Sequence, residues 1–211
     1  MIPLGVLASA RVVAAGGGGG LVLTDTLTNT TNSASYQWTA VNIGEPHPDR
    51  TVILCIRTPA SASRSFSGLT VNGTAVTPDA YPANGGWYQM SVAALHLPTG
   101  TTIDVAATIN YAANNASLHA FAIPRRLVKG ATRDGHATPA TATLPTTLGG
   151  LVIAAAYLPD SPTPVAWSGV GDVHSVAVES RYHYALIASG TGSDVTITAP
   201  EAGAVAAVAY S

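Results

Sequence analysis

The sequence predicts an all-β protein, an antiparallel β-sandwich of jelly-roll-like or pseudo-duplicated type with an extended N-terminal arm. Three observations lead there. Short apolar segments recur, either alternating with polar residues or as continuous runs. Turn signals built from Gly, Asn and Pro separate them at close spacing. No segment sustains a helical period with caps at its ends. A chain of 211 residues can bury a core of its own without disulfide staples, so one body plus an appendage is expected.

Taken in order, residues 1–20 read as the arm. Ile2, Leu4, Val6 and Leu7 make it apolar, and the five glycines Gly16 to Gly20 end it. Ala8-Ser9-Ala10 imitates a leader-peptidase site. No basic segment precedes it, however, and Pro3 and Gly5 interrupt a short apolar stretch, so an arm is the better reading than a leader. No run approaches the ~20 apolar residues of a membrane-spanning helix, and no membrane association is expected.

From 21 to 211 the pattern is that of a β-sandwich. Tyr36-Gln37-Trp38-Thr39, Ile103 to Ile109 and Val195-Thr196-Ile197-Thr198 alternate as half-buried strands do. Val52 to Ile56, Leu151 to Ala156 and Ala204 to Ala209 are continuously apolar, which suits strands covered on both faces. The Ala-rich runs have helical propensity, but they are short and sit beside Gly149-Gly150 and Gly203. Turns are expected at Asn72-Gly73, Pro98-Thr99-Gly100 and Gly190-Thr191-Gly192.

The chain also echoes itself. Val52-Ile53-Leu54 leads to Phe66-Ser67-Gly68, as Leu151-Val152-Ile153 leads to Trp167-Ser168-Gly169. Two halves, 21–126 and 145–211, would face one another, with Phe66 and Trp167 as equivalent core aromatics. Residues Leu127 to Pro145 would cross between them.

Composition narrows the function. Charged residues make up 9% of the chain, against about 25% in an average soluble protein. Such a surface is tolerable where neighbours in an assembly cover it. Lys129 is the sole lysine and Arg125-Arg126 the one adjacent basic pair. A nucleic-acid partner would need a clustered basic footprint, so none is expected. Cys55 lies within an apolar strand and reads as a buried small hydrophobe.

Catalytic motifs are missing from the sequence. It has no Gly-x-Ser-x-Gly elbow, no phosphate-binding glycine loop and no His-Glu-x-x-His. Asp172 and His174 share one face of a strand, and His183 follows on the next, which is the beginning of a metal site. Polar residues on the outward face of two neighbouring strands, with Glu179 and Arg181 near the turn, are the plainer reading. No enzyme activity, metal or cofactor is expected. Trp38 and Trp167 read as core residues. Trp87 and Tyr88 follow Asn84-Gly85-Gly86 and are the candidates for a loop-borne ligand site, with stacking on a sugar ring the chemistry in view.

Several stretches carry a family likeness. The opening Pro3-Leu4-Gly5-Val6-Leu7-Ala8-Ser9-Ala10-Arg11 before a glycine tract resembles short starts among virion genes of tailed phages, prophages and gene-transfer-agent-like particles. Tyr36 to Gly44 with Asp49-Arg50-Thr51-Val52-Ile53 is similar to the opening of that family's body. Leu151 to Tyr157, Trp167-Ser168-Gly169, Val178-Glu179-Ser180 and Ala206 to Tyr210 resemble its second half. The resemblance implies a β-sandwich virion component, a capsid decoration or a fibre or spike subunit, with no catalytic residues to carry over. Its partners would be other capsid or tail subunits, held through Ile2, Leu4, Val6 and Leu7, and further copies of itself. The alternative is a carbohydrate- or receptor-binding module of a tail fibre, with a host-surface glycan at Trp87 and Tyr88.

Overall fold

A computed structural model describes residues 20–58, 66–80, 89–113, 116–137, 139–158, 165–178, 181–199 and 203–211. They form fifteen strands and no helix. In chain order these are β1 (Val22–Asn29), β2 (Ser33–Asn42), β3 (Thr51–Thr58), β4 (Phe66–Val71), β5 (Thr74–Ala75), β6 (Gln89–His96), β7 (Thr102–Ala113) and β8 (Ala116–Ile123). There follow β9 (Lys129–Ala137), β10 (Thr141–Pro145), β11 (Leu151–Leu158), β12 (Asp172–Val178), β13 (Arg181–Ser189), β14 (Asp194–Thr198) and β15 (Gly203–Tyr210).

The first eight strands make two antiparallel sheets of order β1-β8-β3-β6 and β2-β7-β4-β5. That order, in which only β4 and β5 are consecutive neighbours, is the eight-stranded jelly roll. The remaining strands make sheets of order β12-β13-β11-β15-β9 and β10-β14. With β9, β10, β11, β13, β14 and β15 matched to β1, β2, β3, β6, β7 and β8, β9-β15-β11-β13 repeats the order of β1-β8-β3-β6, and β10-β14 repeats β2-β7. The short isolated bridge between Ser168 and Thr198 stands where β4 pairs with β7. Likewise, Ala80 bridges to Val92 beside β6 as β12 pairs with β13.

Each half is therefore a sandwich in itself, and the two stack. The first core lies between the two sheets of the first half and contains Tyr36, Trp38, Leu54, Leu69 and Val105. The third lies between the sheets of the second half and contains Leu144, Ala154, Trp167, Tyr184 and Ile197. Between them a middle core joins the halves, built from Ile53, Met90, Phe121, Ile153, Tyr157 and Val208. This four-layer arrangement explains the continuous apolar runs. Even-numbered Val52, Leu54 and Ile56 enter the first core while Ile53 and Cys55 enter the middle one, so every residue of β3 is buried. The same holds for β11 and β15. Outer strands alternate, as in β10 and β14, because water covers one face.

Trp38 and Trp167 are buried, as expected, and Phe66 packs partly buried on the first core. Asn72 and Gly73 both have positive φ, 49° and 76°, the hairpin conformation that suits Asn-Gly between β4 and β5. One expectation fails. The stretch 127–145 is not a crossover; it supplies β9 and β10, the first two strands of the second half. Its Thr- and Ala-rich pattern hid β9, whose partner β15 supplies the apolar bulk that β9 lacks.

The register gives the body two distinct ends. At one, Val22 faces Ala122, Thr51 faces His96 and Ile123, and Leu151 faces Ser189 and Tyr210. Gly20 enters here. At the other, Asn29 faces Ala116, Thr58 faces Gln89, Leu158 faces Tyr182 and Gly203 faces Ala137. Contacts between halves align the ends. Arg125 donates to the carbonyl of Gly149 at 3.1 Å at the entry end. Arg57 meets His183 at 2.8 Å at the far end.

Candidate functional site

The sequence-predicted site residues Ile2, Leu4, Val6, Leu7, Trp87 and Tyr88 lie outside the described residues. Their attachment points are nonetheless placed. The arm joins the body at Gly20, at the entry end. The 81–88 segment leaves from Ala80 and returns at Gln89, which pairs with Thr58 at the far end.

The entry end holds a cleft of about 470 Å³. Val22, Leu23, Ala122, Ile123 and Pro124 give it an apolar floor, and Asn42, Glu45 and His47 stand around it with Gly20 itself. One buried side chain fixes its shape. Arg50, 1% exposed, sends Nε to the carbonyl of Leu97 at 2.7 Å. One terminal nitrogen reaches the carbonyls of Gly44 and Glu45, both at 2.8 Å. The other reaches Thr99 at 2.7 Å and Gly100 at 2.8 Å. All five donors of the guanidinium fork are used on backbone, so Arg50 staples two loops and offers nothing to a ligand. Nearby, Val128 and Leu148 are exposed at 65% and 83%. Among the described residues only Val173 joins them as an exposed large hydrophobic side chain.

The far end holds a buried polar cluster between the halves. Arg57 at the end of β3 lies over the Tyr157 ring, 4.0 Å from its centroid, and meets Nε2 of His183 at 2.8 Å. Nδ1 of His183 lies 2.6 Å from Oγ of Ser117. Because a guanidinium can only donate, Nε2 accepts, and the proton sits on Nδ1, donated to Ser117. A serine nucleophile needs the reverse, a histidine nitrogen that takes the hydroxyl proton. Ser117 and His183 are each 1% exposed. This serine–histidine pair is a strut between sheets.

The outward-facing reading of Asp172, His174 and His183 is corrected here. His183 points into the middle core, toward Arg57, Ser117 and Tyr157, and the neighbouring β12 packs over β1 and β8. His174 is half-buried, edge-on to Phe121 with 5.2 Å between centroids. Near it, His119 is 2% exposed and its Nε2 has no hydrogen-bond partner. Burial, then the charge of His174, pushes the His119 pKa down to about 3. Burial also lowers that of His174, against an opposing pull from Asp172. No group of three or more metal-ligating side chains occurs among the described residues. Cys55 is buried and free, and burial pushes its thiol pKa up, away from reactivity.

Toward the entry end, where Tyr210 faces Leu151 and Lys129, a second polar link crosses the middle core. Tyr210 donates to Asp79 at 2.8 Å, the Ala94 amide donates to the same carboxylate at 2.9 Å, and Lys129 stands 3.6 Å away. Sequence reading passed over both links. The available signal for the first was charge in an apolar setting, namely Arg57 closing the run Val52 to Ile56.

Comparison with family models, curated proteins and solved structures finds no match to this chain.

Proposed function

We propose that the chain is a structural virion component of a tailed phage or phage-like particle, held by its N-terminal arm to capsid or tail subunits. The observation that carries the reading is the polarity of the body. The arm's root, an apolar-floored cleft and the exposed side chains of Val128 and Leu148 share one end. An end so furnished suits contact with a particle surface. Ile2, Leu4, Val6 and Leu7 would be buried in a neighbouring subunit, each contributing on the order of 1.5–3 kcal/mol before ordering costs. Jelly rolls are frequent in viral capsid and lectin domains, a support by fold analogy alone.

The test is deletion of residues 2–19. The truncated chain should keep the far-ultraviolet signature of the intact one and a cooperative melt, yet be absent from particles purified from producing cells. Incorporation at the normal level would refute the proposal.

A second reading, glycan or receptor binding, draws on the same polarity. The chain returns from 81–88 at Gln89, at the end opposite the arm's root, where a host surface would be met. Trp87→Ala should then abolish binding on a glycan array or lower host adsorption. An unchanged array and unchanged adsorption would remove that reading.

A further inference from the structure

We propose that in the free chain the entry-end cleft is occupied by the chain's own N-terminal arm, through the apolar stretch that precedes the glycine tract. Four features of the molecule argue for that occupant. Nineteen residues precede Gly20, and Gly20 is itself part of the cleft wall, so the chain outside the described body begins where the cleft is. Gly20 has φ +84°, a turn conformation natural to glycine. A tether of five glycines has an r.m.s. span of about 12 Å, enough to reverse and short enough to keep the segment before it at the cleft.

Composition matches on both sides. Leu7, Val12 and Val13 are apolar and the cleft floor is Val22, Leu23, Ala122, Ile123 and Pro124. Arg11 is the single charged side chain in the first 20 residues, and the exposed carboxylate at the cleft is Glu45. Arg50 spends its donors on five carbonyls and feels the Glu45 charge only through space.

Own-chain occupancy is favoured over exchange between copies by concentration. A short glycine tether sets an effective concentration in the mM range, far above that of a protein at µM. The docked state hides the apolar arm until a partner competes for it. Docking stands whether or not the partner is a particle, since it concerns the free chain.

Limited trypsin digestion of the intact chain tests it, read by mass. Arg11 is the first basic residue and the next is the buried Arg50, so arm cleavage is reported by one bond. The Arg11–Val12 bond should be cut about tenfold more slowly than in a synthetic peptide of residues 1–19, as a docked majority requires. Protection should be equal across a hundredfold range of protein concentration, and Glu45→Lys at the exposed rim should reduce it. A second measurement is independent of protease access. The Val12→Cys/His47→Cys chain should form an intrachain disulfide on mild oxidation, with buried Cys55 silent, while Val12→Cys/Thr28→Cys, whose second site is exposed at the far end, should not. Cleavage as fast as in the peptide, or protection that grows with concentration, would overturn the proposal. So would a disulfide found only between chains.

Discussion

The buried His119 makes a quantitative prediction about acid. In the folded chain its pKa is near 3, and in the unfolded chain near 6.5. Between those values the unfolded chain holds a proton that the folded chain refuses, so stability falls as pH falls through this window. Each unit of pH below 6.5 costs about 1.4 kcal/mol from this one group. Lowering pH from 7 to 5 should therefore cost about 2 kcal/mol through His119. His174, also depressed by burial, acts in the same direction. His119→Leu removes the proton site and the unpartnered Nε2 together. Urea unfolding at pH 7 and pH 5 should show the variant losing about 2 kcal/mol less than the parent chain. At pH 7 the variant should be at least as stable, because an unsatisfied buried polar atom has gone. The reasoning fails if both chains lose the same stability on acidification. Carboxylates elsewhere titrate in both, and the difference between the two chains cancels them.

Three further perturbations follow from the packing. Arg50→Ala strands five carbonyls and should cost on the order of 3 kcal/mol or more in urea unfolding; Arg50→Lys should recover only part, since an ammonium lacks the fork. A full rescue by lysine would contradict the staple. Gly169→Ala should lower the melting temperature strongly, because Gly169 has φ +76° and a Cβ there would meet the carbonyl oxygen of Thr196. Gly73→Ala, at the same φ but with open space around it, should show only the backbone cost of about 1–2 kcal/mol. Tyr210→Phe deletes the hydroxyl bonded to Asp79 and should cost about 1–3 kcal/mol by chemical denaturation; no change would mean the link between halves is idle.

Much of the fold was legible before any coordinates. Alternation in 103–109 and 195–198 reads directly as strands with one wet face, and Val52 to Ile56 reads as a strand with none. Those patterns are local consequences of burial, so they survive in one dimension. The echo of Phe66-Ser67-Gly68 in Trp167-Ser168-Gly169 also had a structural counterpart, since both sit beside equivalent strands in the repeated order. What was not legible concerned partners. β9 lacks an apolar pattern of its own and is a strand because β15 pairs with it. His174 and His183 look like surface residues until β12-β13 is packed against the first half.

By itself, then, the sequence determined the class of the protein: strands, turns and a low charge. These depend on composition and on the two-residue period of a strand. The tertiary structure alone decided that two sandwiches stack into four layers and that Arg50 is a staple. It also decided that Ser117–His183 is a strut and that the arm's root and Gln89, where the chain returns from 81–88, lie at opposite ends. Each of those joins residues tens of positions apart in the chain. Only closure of the sheets brings them together, and no local pattern encodes which strand will lie beside which.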